Sequence, residues 1–284
     1  MKLTHTPDSG HQWSPIGIFD SGYGGLTILD AIRQRLPQYD YLYLGDNARA
    51  PYGPRSFDVV YEFTRQAVRH LFEQGCQLVI LGCNTASAKA LRTIQQHDLP
   101  QWDAERRVLG VIRPTAEVIG ELTVSRHVGI FATEGTIRSE SYRLEIAKLW
   151  PDICVTGVAC PFWVPLVEYN EADTPGADYF VKKRIDQLLA ADPLIDAVIL
   201  GCTHYPLLLP KIRRYMPAGI KIIPQGEYVA HSLADYLHRH TALSARCSQG
   251  GTTHYLTTEN PSRFSEQAQI FLRQPVSVDH VNLE

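Results

Sequence analysis

Two cysteines end identical pentapeptides. Val79-Ile80-Leu81-Gly82-Cys83 recurs as Val198-Ile199-Leu200-Gly201-Cys202; the first copy runs into Asn84-Thr85 and the second into Thr203-His204. A thiol with an ordinary pKa of about 8.5 can act as base or acid near neutrality if a neighbour stabilises its thiolate. A matched pair suits inversion of a carbon that bears hydrogen next to a carboxylate. One group takes a proton from one face while the other delivers a proton to the opposite face, so each must serve as both acid and base. His204 lies close enough to Cys202 to support a thiolate there, and Asp20 ends a strand expected in the same sheet as Cys83. The carbon acid is weak, so most of the barrier must fall by other means. Holding the substrate between two preset groups supplies roughly 7–11 kcal/mol, and N–H and hydroxyl donors on its carboxylate stabilise the carbanion as it forms. A Cys–His pair can instead be an acyl-transfer nucleophile, and Cys83, Cys202 and His204 are all zinc-ligand types. The acyl-transfer reading leaves the duplicated cysteine without a task. The duplication favours two-base chemistry, with no metal and no cofactor.

Each repeated run reads as a short buried strand, a glycine and a polar turn into a helix. Both thiols then fall at carboxyl ends of strands, where open α/β sheets place their ligand crevices. Strand and helix patterns alternate along the whole chain, which predicts parallel sheets with helices on both faces. The expected architecture is an α/β fold of two similar lobes, each a mostly parallel sheet flanked by helices, with the active site in the cleft between them. Residues 16–107 plus 220–284 are assigned to the first lobe, with Asp20 and Cys83. Residues 108–219 form the second, with Cys202 and His204, and residues 1–15 are a polar, loosely attached N-terminal extension. A strand is expected from Val108 to Ile112, ended by Arg113-Pro114, and a helix from about Ser87 to Gln96. The loop Ser21-Gly22-Tyr23-Gly24-Gly25 is glycine-rich, but its G-x-G-G spacing matches neither dinucleotide nor P-loop fingerprints.

The chain has 284 residues, a net charge of -3 and a pI near 6.4. That balance gives no electrostatic case for nucleic acid or an anionic membrane as partner. No stretch approaches the roughly 20 apolar residues of a spanning helix. The first residues lack the apolar centre of a signal peptide, so a cytoplasmic location is expected. None of the six cysteines forms a Cys-x-x-Cys pair. Cys76, Cys154, Cys160 and Cys247 are read as small buried hydrophobes.

Six stretches, taken in order, resemble the glutamate racemase family. They are Ile16–Thr27, Gly45–Gly53, Gly82–Ala88, Thr133–Ser139, Cys160–Glu168 and Leu200–Leu208. The resemblance implies cofactor-independent interconversion of L- and D-glutamate, supplying D-glutamate for peptidoglycan and cell-wall biogenesis, by a two-domain protein that is often a homodimer. It implies that Cys83 and Cys202 are the acid/base thiols, that Cys83 takes the proton from D-glutamate and Cys202 from L-glutamate, and that Asp20 and His204 are their partners. Substrate contacts would fall to Asp20, Ser21, Tyr52, Gly53, Asn84, Thr85, Thr203 and His204, with Glu168 in a supporting role. Two stretches depart from the family pattern: Arg113 replaces a small or acidic residue, and Pro224-Gln225-Gly226 replaces an Asp-Ser pair. Both are expected to lie outside the catalytic set.

Overall fold

Apolar residues run without interruption along the inner strands, so both faces of these strands are buried. The computed structural model describes residues 13–283, which form ten strands: β1 (Ile16–Asp20), β2 (Tyr41–Gly45), β3 (Leu78–Leu81), β4 (Arg107–Gly110), β5 (His127–Ala132), β6 (Cys154–Ala159), β7 (Ala197–Gly201), β8 (Lys221–Pro224), β9 (Thr253–Thr257) and β10 (Val278–His280). Ile16, Ile18, Tyr41, Tyr43, Leu78 and Ile80 face one core with helices Leu26–Arg35 and Gly226–Arg239. Phe19, Leu42, Leu44, Val79 and Leu81 face another with helix Phe57–Glu73. Coverage on both sides is why these strands read as continuous apolar runs.

The strands make two sheets, ordered β10-β9-β2-β1-β3-β4 and β6-β5-β7-β8, with every pairing parallel. Apart from β9 and β10, both run second, first, third, fourth in chain order. The echo between the lobes extends beyond the pentapeptides. Gly17-Ile18-Phe19 lies in register with Val79-Ile80-Leu81, and Gly129-Ile130-Phe131 with Val198-Ile199-Leu200. A Cβ on Gly17 would lie 3.1 Å from the Val79 side chain, and one on Gly129 would lie 3.1 Å from Val198. Each cysteine follows the third strand of its unit. In this strand order the crossovers part company between first and third strands, which opens a crevice at their carboxyl ends.

Several expectations are corrected. β4 belongs to the first sheet and β8 to the second, so the chain crosses after Gly110 and returns after Pro224, each a strand later than the expected boundaries at 107 and 220. Residues 112–114 begin helix Ile112–Leu122 rather than ending a strand; Pro114 sits in its first turn, where an N–H has no intrahelical acceptor to lose. The helix after Cys83 starts at Asn84, not Ser87, because Cys83 itself caps it. Residues 13–15 are anchored rather than loose: the Ser14 hydroxyl donates to the Gly75 carbonyl at 2.8 Å, and Trp13 packs edge-on against His254. The rest of the expected extension, residues 1–12, lies outside the described residues. Cys154 is exposed, at the start of β6. Arg113 lies on the surface and pairs with Glu117.

Candidate active site

Asp20 ends β1 and Cys83 follows β3, so both stand at the crevice of the first sheet. Cys83 is the N-cap of its helix, and its Sγ accepts the Ala86 N–H at 3.4 Å. The Ser21 hydroxyl lies 3.4 Å from the same sulfur. Burial pushes the Cys83 thiol up to about 12, and the Asp20 carboxylate adds to the rise, so near neutrality Cys83 holds its proton. Asp20 therefore acts on Cys83 through its charge; its Oδ1 accepts the Gly22 N–H at 2.9 Å, while Oδ2 is buried with no hydrogen-bond partner among the described residues. Burial raises the Asp20 pKa, with the charge of His204 working against it.

The second sheet supplies a different arrangement. The Cys202 sulfur lies 3.9 Å from His204 Nδ1, and His204 Nε2 lies 2.9 Å from Glu168 Oε1. Burial alone would lower the His204 pKa; the Cys202 sulfur and then Glu168 outweigh it and raise it from 6.5 to about 10. The ring is then an imidazolium at neutral pH, with both nitrogens as donors, one toward sulfur and one toward carboxylate. Phe271 packs edge-on against this ring at 5.4 Å. Cys83 and Cys202 are each 6% exposed. One thiol thus keeps its proton while the other faces a fixed positive charge, which is the asymmetry that proton removal on one side and delivery on the other requires.

The lobes meet closely around these groups. The Thr27 hydroxyl donates to the Thr203 carbonyl at 3.0 Å. Thr85 Oγ1 lies 2.9 Å from Thr133 Oγ1, and the Gly135 N–H donates to the Gly53 carbonyl at 3.0 Å. Gly24 makes the tightest approach: a Cβ there would fall 2.2 Å from Thr203 Oγ1 and 2.4 Å from His204 Nδ1. Both side chains are buried. Gly24→Ala is therefore expected to cost about 1–3 kcal/mol of stability through overpacking. It should also lower kcat by turning His204 away from Cys202, as thermal unfolding and steady-state assays would record; unchanged values of both would contradict this packing.

Most residues expected at the site come together here: Asp20, Ser21, Cys83, Asn84, Thr85, Cys202, Thr203 and His204 all lie at strand carboxyl ends or in the turns that follow. Tyr52 is placed differently. Its hydroxyl donates to the Asp46 carboxylate, which also accepts from Arg49, and the Tyr52 and Gly53 carbonyls accept from Arg55 and Gly135, so this stretch has backbone N–H groups rather than a side chain to offer a ligand. Glu168 is closer to the chemistry than expected, since it bonds His204 directly. Gln225 corrects a stronger expectation. It lies not outside the set but against it, with Oε1 accepting from Asn84 Nδ2 at 2.7 Å. Tyr142 donates to the other side of the Asn84 amide at 2.6 Å. Neither Tyr142 nor Phe271 carried any sequence signal, whereas Gln225 was marked by its departure from the family pattern.

The Asp/Glu/Hydantoin racemase family model matches residues 26–232. The chain is similar to the glutamate racemase of Ruegeria sp. (strain TM1040), at 41% identity over 274 residues, covering 93% of this chain and 98% of that protein. Among solved structures, glutamate racemase isoform RacE1 from Bacillus anthracis matches with a TM-score of 0.87 and 34% identity, covering 96% of this chain and 99% of that one. The glutamate racemase of Francisella tularensis, solved in complex with D-glutamate, matches with a TM-score of 0.84 and 30% identity, covering 95% and 98%.

Proposed function

The chain belongs to the Asp/Glu/Hydantoin racemase family and interconverts L- and D-glutamate, and we propose that Cys83 and Cys202 carry the protons on opposite faces of the substrate. D-glutamate made in this way supplies peptidoglycan synthesis. The observation that carries the two-thiol reading is the equivalence of β3 and β7 in register, each followed by a buried cysteine.

In the L-to-D direction the Cys202 thiolate takes the α-proton, and the electron pair stays on the α-carbon, delocalised into the carboxylate. The Cys83 thiol then gives its own proton to the opposite face. Cys202 is left protonated and Cys83 as thiolate, which is the starting state for the reverse direction. His204, held by Glu168, keeps positive charge beside Cys202 throughout. On the other side, the Ala86 N–H and the Ser21 hydroxyl receive the thiolate that forms at Cys83.

Substrate binding falls to the polar groups between the sulfurs. The unpartnered Asp20 Oδ2 suits the ammonium, because a buried carboxylate oxygen left without a donor is costly until one arrives. Ser21, Asn84, Thr85, Thr203, His204 and the backbone of Tyr52-Gly53 suit the two carboxylates. With both sulfurs buried, glutamate reaches them only when the lobes part. We place the enzyme in the cytoplasm, in keeping with six unpaired cysteines. A homodimer is part of the same reading; the exposed aromatic residues Phe162 and Tyr179, each packed against Phe180, offer an apolar face for it.

Substrate choice is tested by incubating the protein with L-glutamate and, separately, L-aspartate in deuterated water. Deuterium should enter the α-position of glutamate. Entry into aspartate but not glutamate would overturn the reading in favour of another amino-acid racemase.

A further inference from the structure

Both crossings of the chain between the two sheets meet at one buried side chain, Gln225. It follows β8 on the return crossing and is 2% exposed. Its Nε2 donates to the carbonyl of Val111, the residue after β4 on the outward crossing, at 3.0 Å, and to the Tyr142 hydroxyl at 2.6 Å, with Thr115 Oγ1 at 3.2 Å. Its Oε1 accepts from Asn84 Nδ2, and Asn84 Oδ1 accepts from the Tyr142 hydroxyl. Three side chains therefore form a closed ring, each donating once and accepting once.

The polarity of that ring follows from one atom. The Val111 carbonyl can only accept, so it requires the amide N–H of Gln225 and directs Oε1 toward Asn84. Asn84 must then offer its NH2 group to Gln225, which leaves its Oδ1 for Tyr142. The single hydroxyl proton of Tyr142 goes to Asn84, so the hydroxyl accepts from Gln225. Reversing any member puts two acceptors or two donors face to face in a buried site, where unpaired polar groups are most costly.

We infer that Gln225, with Tyr142, is a positioning residue for glutamate, locking the Asn84 amide so that its remaining N–H, and never its oxygen, is available to a substrate carboxylate. The ring uses one of the two Asn84 N–H protons and holds its oxygen toward the Tyr142 hydroxyl. An amide free to flip would instead present a carbonyl oxygen to an anion for part of the time, and like-signed groups facing each other oppose binding. Because Gln225 also holds Val111, the lock ties the amide beside Cys83 to both connections between the lobes. The inference rests on the reading above that Asn84 contacts the substrate.

The test measures KM and kcat for both enantiomers in Asn84→Ala, Gln225→Met, Tyr142→Phe and the Asn84→Ala/Gln225→Met double variant. Gln225→Met keeps the side-chain length and removes every hydrogen bond; Tyr142→Phe removes one oxygen and decides the matter if Gln225→Met does not fold. Each single variant is expected to raise KM about tenfold, with kcat changed less. The double variant should lose little more than Asn84→Ala alone, since residues acting through one another are not additive. If Asn84→Ala raises KM but Tyr142→Phe and Gln225→Met leave it unchanged, or if the double variant shows fully additive losses, the inference is overturned. An unchanged KM in Asn84→Ala would instead overturn the substrate-contact reading, and the inference with it.

Discussion

Cys83→Ala and Cys202→Ala should each abolish racemisation, lowering kcat/KM by at least about 10³-fold, since positioned proton transfer alone is worth about 10²–10⁴. Each change removes a single sulfur atom from a core cluster it borders, Cys83 beside Phe19 and Leu81 and Cys202 beside Phe131 and Tyr205, so little volume is lost. Both variants should keep near-native unfolding temperatures, and Cys247→Ala, at a thiol in the α-helical layer of the first lobe, should keep its activity. The two variants differ in what remains. With Cys202 alone the protein can still lift the proton of L-glutamate and return it to the same face; with Cys83 alone it can do so only for D-glutamate. Full racemase activity in either variant would refute the two-thiol mechanism.

The second large effect concerns the charge beside Cys202. His204→Gln should lower kcat about 10²-fold, the low end of what a removed acid–base partner costs, with little loss of folded protein. The two enantiomers have equal free energy, so kcat/KM must fall equally in both directions. Asymmetry can still appear in kcat and KM taken separately and in isotope effects: removal of the α-proton from L-glutamate should become the slower step, so α-deuteration should slow L-glutamate more than D-glutamate. Glu168→Gln makes the same point through pH. His204 has a pKa raised to about 10 from 6.5 by Cys202 and Glu168 against the effect of burial. Its charged form is thus fully present below the ordinary histidine value and is lost as pH climbs through about 10. The same sign holds for stability: the contribution of protonated His204 is complete below 6.5 and disappears through about 10. Removing the Glu168 charge should move the alkaline limit of kcat to lower pH. An alkaline limit unmoved in Glu168→Gln would separate Glu168 from the mechanism.

The parts of the fold and site legible in the sequence were those written locally. The two pentapeptides are identical because both strands are buried on both faces and both must deliver a thiol at the same height. The companion echo, Gly17-Ile18-Phe19 and Gly129-Ile130-Phe131, becomes significant only once register sets each against its cysteine strand. The crossings are hard to place from sequence because β4 and β8 are four-residue strands at sheet edges, partly exposed, with little apolar pattern to assign them to a lobe. Cys83 as a helix cap was not foreseen because thiols are rarely chosen for that position over hydroxyls and carboxamides. Gln225 lies 141 residues from Asn84 along the chain, and nothing local in the sequence records that two crossings bring them together. Phe271 reaches His204 from a tail with no motif of its own.

The origin of the incoming proton tests the central claim most directly. L-glutamate with ordinary hydrogen at its α-carbon would be supplied to the protein in deuterated water, and both enantiomers analysed before a few per cent has turned over. Two thiols on opposite faces predict that D-glutamate carries deuterium from its first appearance, delivered by Cys83, while the remaining L-glutamate keeps its hydrogen. D-glutamate carrying the hydrogen of its own substrate would mean that one group moved the proton across, and would contradict the account.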